Sequence, residues 1–161
     1  METETATSTS SPYITPLLKI FPNFSEAKDF LKDGGVIFFE DDEKNLEVVD
    51  LAQGHRNLII GEPGIGKTEL LKKIQAYFHE QASLTAFVSL RQNDVEQAID
   101  AFLKRKDDRT KVLFLDALDE VQSSLFPSIL EKIVEISEKY PKVIIYLSAR
   151  LVFISKYATS F

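Results

Sequence analysis

The sequence predicts an α/β fold, a three-layer sandwich on a mostly parallel sheet. From residue 57 onward, strand-like and helix-like segments alternate, the pattern that yields parallel strands joined by covering helices. The strand-like segments, 57–60, 84–90, 112–115 and 143–147, are nearly continuous apolar runs, as strands buried on both faces require. The 161 residues suit one domain, and 44% hydrophobic with 27% charged residues is the balance of a globular chain.

Residues 1–11 hold almost nothing that could be buried to offset the entropy of ordering them, and read as a disordered tail. Over 12–41, short apolar clusters are broken by Pro16, Pro22 and the Gly34-Gly35 pair, which predicts a lead-in segment packed on a core. The core itself is expected over 42–161. It opens with Leu46 and Val49 at helical spacing in 42–53, stopped by Gly54. Three amphipathic stripes then lie between the strands: Leu70, Leu71, Ile74, Tyr77 and Phe78; Val95, Ala98, Ile99, Phe102 and Leu103; and Phe126, Ile129, Leu130, Ile133, Ile136 and Tyr140.

Composition removes several classes of function. The most hydrophobic stretch, 143–147, is far shorter than the ~20 residues of a membrane helix. The first dozen residues carry no Lys or Arg and no apolar block, unlike a secretory or transit signal. With no cysteine there is no disulfide or thiolate chemistry, which fits a cytoplasmic location. His55 and His79 are too few for a histidine-based metal site. The net charge of −6 argues against nucleic acid as a partner.

Chemistry concentrates after the first predicted core strand. Gly61-Glu62-Pro63-Gly64-Ile65-Gly66-Lys67-Thr68 fits G-x-x-x-x-G-K-[ST], directly after a strand and before a helix that continues with Glu69. A loop that wraps a polyphosphate must turn its N–H groups inward, and the helix N-terminus adds partial positive charge. Lys67 is suited to the β and γ phosphates of a nucleotide, and the Thr68 hydroxyl to Mg²⁺. In 111–120 an apolar strand ends in Asp116, with Asp119 and Glu120 just beyond. Asp116 is the expected second Mg²⁺ ligand. Glu120, or else Asp119, is the candidate base for an attacking water, unless one of them caps the next helix. The strand 143–147 runs into Ser148, Ala149 and Arg150, where a cation can meet a γ-phosphate or simply face solvent. Arg91 reads as a surface charge.

The three segments G-E-P-G-I-G-K-T, V-L-F-L-D-A-L-D-E and I-I-Y-L-S-A-R resemble the Walker A, extended Walker B and sensor 1 motifs of the NACHT NTPases, a branch of the STAND signalling ATPases. The resemblance spans 42–150, and its D-x-L-D-E acid cluster is the most discriminating part. Two departures are Ala117, where the family usually has Gly, and Ala149-Arg150-Leu151, where Ser or Cys commonly precedes the Arg and Pro often follows it.

The resemblance implies an additional-strand P-loop fold with strand order 57–60, 143–147, 112–115, 84–90. It also implies a fifth strand outside the P-loop strand, for which the sequence offers no clear segment. The family's helical lid and winged-helix module would follow the core. With eleven residues after Arg150, the expectation is a core truncated just after sensor 1, its P-loop strand exposed as an edge for self-association or a protein partner.

The leading functional expectation is an ATP-binding, Mg²⁺-dependent core that slowly hydrolyses the β–γ phosphoanhydride, derived from a signalling or defence switch; adenine preference (ATP or ADP) comes from the resemblance. A nucleotide-binding interaction module with little hydrolysis is the alternative. A DNA-associated loader-type ATPase is a further one, disfavoured by the acidic balance and the acid cluster. A GTPase is disfavoured because no N-K-x-D segment occurs.

Overall fold

The computed structural model describes residues 34–38 and 54–150. The expected tail, most of the lead-in segment, the helix expected over 42–53 and the residues after Arg150 lie outside these. In chain order the elements are β1 (Gly34–Phe38), β2 (Arg56–Ile60), α1 (Lys67–Glu80), β3 (Leu84–Ser89), α2 (Val95–Leu103), β4 (Lys111–Asp116), a 3-10 turn (Leu118–Glu120), α3 (Phe126–Lys139) and β5 (Ile144–Ala149). The strands form one sheet in the order β1-β2-β5-β4-β3 with every neighbouring pair parallel. The order expected for the four core strands therefore holds.

The exposed P-loop strand does not. Gly34 to Phe38 pairs in parallel with Arg56 to Ile60 along all five residues, so β2 is an inner strand and its outer backbone groups are bonded. Self-association through a bare β2 edge is thereby ruled out, and the described sheet ends instead in β1 and β3. The Gly-Gly pair that reads as a break in the lead-in segment is the first pair of rungs of the missing fifth strand.

Strand pleating decides which residues can meet. Successive residues point to opposite faces, so Ile59, Val112, Phe114 and Tyr146 pack beneath Leu70, Leu71, Ile74 and Phe78 of α1. Leu58, Ile60, Leu113, Leu115, Ile145 and Leu147 face the other way, toward Ile99 and Phe102 of α2 and Ile129 and Ile133 of α3. On the α1 face, Phe87, Phe114 and Tyr146 are register neighbours on three adjacent strands. Their rings stack with centroids 6.4 and 5.1 Å apart and planes within 13° and 11° of parallel. Phe78 meets the Phe114 ring at 60°.

Arg56, at the start of β2, is buried and donates to the carbonyls of His55 (2.9 Å), Ser137 (3.2 Å) and Val143. It ties the end of α3 and the lead into β5 to the P-loop strand.

Helix α1 ends with Ser83 N–H donating to the Phe78 carbonyl and Ala82 N–H to that of His79, each at 3.0 Å, and Ala82 sits at φ +57°. This pattern of bonds favours glycine at the left-handed position. An alanine there costs about 1–2 kcal/mol, whereas glycine forfeits about 0.4–1 kcal/mol through the unfolded chain. Ala82 is exposed, so its methyl group contributes little packing. Ala82→Gly should therefore raise stability by about 0.5–1 kcal/mol in urea unfolding, and an unchanged or lowered midpoint would contradict the strain assigned to this φ.

Candidate functional site

All strands being parallel, the loops that follow β2, β5, β4 and β3 emerge along one edge of the sheet, where crevices of α/β folds form. Register supplies the detail. Leu115 lies beside Leu147, and Ser89 beside Asp116, so Asp116 and Ser148 come next to each other. Both share the pleat face of Phe114 and Tyr146, the face covered by α1, and so meet the first turn of that helix.

The loop from Gly61 to Gly66 is shaped by two left-handed glycines, Gly64 at φ +77° and Gly66 at +103°. A Cβ at Gly64 would meet no protein atom within 4 Å, so the need for glycine there lies in its backbone angle. Gly66 is the N-cap of α1 and brings no side chain to it, leaving the first-turn N–H groups without a side-chain acceptor. That arrangement is suited to an anion. Lys67 Nζ donates to the carbonyls of Gly61 and Glu62, both at 2.8 Å. Burial lowers the pKa of Lys67, Arg150 adds to the effect, and Asp119, Asp116 and Glu62 oppose it. A phosphate beside it would favour the charged ammonium further.

Asp116 is buried, 5% exposed, and its carboxylate accepts from two hydroxyls: Thr68 Oγ1 to Oδ2 at 2.9 Å and Ser148 Oγ to Oδ1 at 2.6 Å. The Ser148 oxygen in turn accepts the N–H of Ala117 at 2.8 Å. Ser148 thus holds Asp116 in place rather than facing solvent. Thr68 and Asp116 offer hard oxygen atoms, which suit magnesium better than a soft metal. Among the described residues no trio of His, Cys, Asp and Glu is grouped to hold a metal ion, so a magnesium ion here would complete its shell with water and phosphate oxygens.

Ala117 lies at φ +68°, ψ +57°, a left-handed conformation that glycine adopts more readily than a residue with a Cβ. The turn it starts, closed by Glu120 N–H on the Ala117 carbonyl at 3.0 Å, brings Asp119 and Glu120 back to the cleft. Neither acid caps the next helix, since α3 begins after Leu125. Asp119 Oδ1 accepts the backbone N–H of Arg150 at 3.0 Å and its Oδ2 meets Arg150 Nε at 2.8 Å. Arg150 Nη2 also reaches Glu120 Oε1 at 3.4 Å. Arg91, which reads as a surface charge, bonds both Glu120 oxygens, through Nη2 to Oε1 at 3.0 Å and through Nε to Oε2. The signal that locates it is positional: Arg91 follows β3 by two residues, and the register of β3 on β4 sets that point beside the acidic turn.

These groups line one open cleft of about 220 Å³ whose walls include Gly64, Gly66, Lys67, Thr68, Asp116, Asp119, Glu120 and Arg150. Pro63 and Glu69 stand at its rim, with Glu69 exposed and paired to Lys72 at 3.0 Å. Gly61, Glu62 and Ile65 are outside its walls: Gly61 is buried in the strand end, with its N–H on the Ala149 carbonyl at 3.3 Å, and the Glu62 carbonyl accepts from Ile65 at 3.4 Å.

Among the described residues no helix is long and apolar enough to cross a membrane. Comparison with curated proteins and with solved structures returns no match for this chain. A scan against family models does match, with the ATPase family associated with various cellular activities (AAA) aligned over residues 57–153. That alignment takes in the phosphate loop, the acidic turn and Arg150, and the chain belongs to the AAA family.

Proposed function

We propose that this AAA-family core binds ATP with magnesium and slowly hydrolyses the β–γ phosphoanhydride as the nucleotide switch of a NACHT-like signalling or defence protein. The observation that carries the reading is the convergence, in one cleft, of an uncapped helix N-terminus, Lys67, the Thr68–Asp116 pair and the acid Glu120. The acid cluster from Asp116 to Glu120 supports the NACHT-like subtype, and the left-handed angle of Ala117 fits the glycine that this class usually carries.

In this reading the N–H groups of the loop and of the first turn of α1 bind the phosphate oxygens, and Lys67 neutralises charge on the β and γ groups. Magnesium, held by Thr68 and Asp116, would draw electron density from the phosphates as the bond breaks. Glu120 accepts a proton from the water whose oxygen attacks the γ-phosphorus, and the bridging oxygen leaves with ADP. Arg150 answers the charge of the terminal phosphate.

One observation favours a second reading, a module that binds nucleotide with little turnover: Glu120 is gripped by two guanidinium groups. Titration of labelled ATP and GTP with Mg²⁺, with phosphate release followed in the same samples, separates the two readings. Saturable ATP binding with slow release is the expected result. Lys67→Ala should weaken binding roughly 10- to 100-fold, the worth of one or two charge-assisted hydrogen bonds. Binding without release would favour the module, and a folded wild type that binds no ATP would sink both.

A further inference from the structure

The two acids that follow Asp116 are not equivalent, and an assignment of their roles rests on the ATPase reading above. Asp119 has a side chain only 5% exposed, and it engages one residue twice: the Arg150 backbone N–H at 3.0 Å and the Arg150 Nε at 2.8 Å. Glu120 is more open, with its side chain 31% exposed, and all three of its contacts are to guanidinium nitrogens. A buried carboxylate tied to a main-chain amide has little freedom to approach a water molecule and take its proton. It has what is needed to fix the start of a side chain and the plane of its guanidinium, because a two-point contact removes the rotations that a single contact leaves free.

We infer that Asp119 is a positioning residue: it orients Arg150 in the cleft and so sets the preference for a nucleoside triphosphate over a diphosphate, while Glu120 is the acid that meets the reacting water. The chain of contacts runs from the acidic turn to the end of β5 and back. Asp119 holds Arg150 through its backbone and Nε, and Nη2 of the same guanidinium reaches Glu120 Oε1 at 3.4 Å. Arg150 therefore reaches the cleft from a fixed base. A cation held in this way contacts a third phosphate and has no equivalent contact to make when only two are present.

The test is the ratio of ATP to ADP affinity, measured with Mg²⁺ by competition against labelled ATP, for wild type, Asp119→Asn, Asp119→Glu, Arg150→Ala and the Asp119→Asn/Arg150→Ala pair. Asparagine keeps an oxygen for the Arg150 amide and removes the charge, so the fold is retained while the grip on the guanidinium weakens. Asp119→Asn and Arg150→Ala should each reduce the preference for ATP on the order of tenfold, about one charge-assisted hydrogen bond. The pair should lose no more than either alone, and Asp119→Glu should recover part of the ratio.

Additive losses in the pair would overturn the inference. So would an Asp119→Asn protein that keeps its ATP preference and loses hydrolysis, which would make Asp119 the base. A lowered melting temperature with the ratio unchanged would reduce Asp119 to a structural role and overturn it equally. A wild type that binds ATP and ADP alike refutes this assignment and leaves the ATPase reading standing, whereas a wild type that binds neither removes both.

Discussion

Phe114→Ala should destabilise the protein by about 3–5 kcal/mol, the range for deleting a large aromatic from a packed interior. Phe114 is 0% exposed on the inner strand β4, stacked between Phe87 and Tyr146 and roofed by Phe78 of α1. The deletion removes one ring from three ring contacts and leaves a space that is hard to close, because β4 and its neighbour β5 are each held by backbone bonds on both sides. Domains of this size are stable by only about 5–15 kcal/mol, so the loss is roughly a fifth of the total or more. Urea unfolding monitored by circular dichroism measures it. Phe87→Ala, at the less buried end of the stack, should cost clearly less. A Phe114→Ala loss below about 1 kcal/mol would mean that the stacked rings do not form the rigid layer described above.

The second large effect concerns turnover. Glu120→Gln should lower phosphate release by about 10²–10⁴, the usual contribution of a positioned general base, while ATP affinity changes little. The amide keeps the shape of the side chain and can still accept from Arg91 and Arg150, but it does not take up a proton at neutral pH. Single-turnover release with ATP in excess of its dissociation constant reads the chemical step apart from binding. Unchanged release would assign the proton to another group, and a parallel loss of ATP affinity would mean that Glu120 shapes the cleft rather than the reaction.

Much of the fold can be read from local patterns. The apolar runs at β2, β3, β4 and β5 and the three amphipathic stripes reflect burial, which composition records directly, and α1, α2 and α3 fall on those stripes. The phosphate loop is legible for a different reason, since left-handed backbone at Gly64 and Gly66 demands glycine. β1 escaped because its evidence is weak on the page: two glycines suggest a break, and only four apolar residues follow. Its identity depends on pairing with β2, a long-range fact. The partner of Arg91 is equally non-local, set by the register of β3 on β4. Ser148 could be placed near the site but not given its job, because its hydrogen bond to Asp116 follows from which pleat face the two residues share. Ala117 is the converse case, where a departure from the expected glycine marks the position at which the backbone turns.

The strand order bears on how the chain assembles as it is synthesised. β2 leaves the ribosome early, yet its inner neighbour is β5, about ninety residues later, with Arg56 opposite Ile145. β3 and β4 lie much closer in sequence, with α2 between them, and so form a crossover unit at a smaller entropic cost. The phosphate loop is thus made long before, and the acidic turn somewhat before, the strand that stands between them, and Ser148 and Arg150 arrive with that strand. Nucleotide therefore has no finished cleft to bind until β5 slots between β2 and β4, which makes the cleft the last of the described features to take shape in the nascent chain.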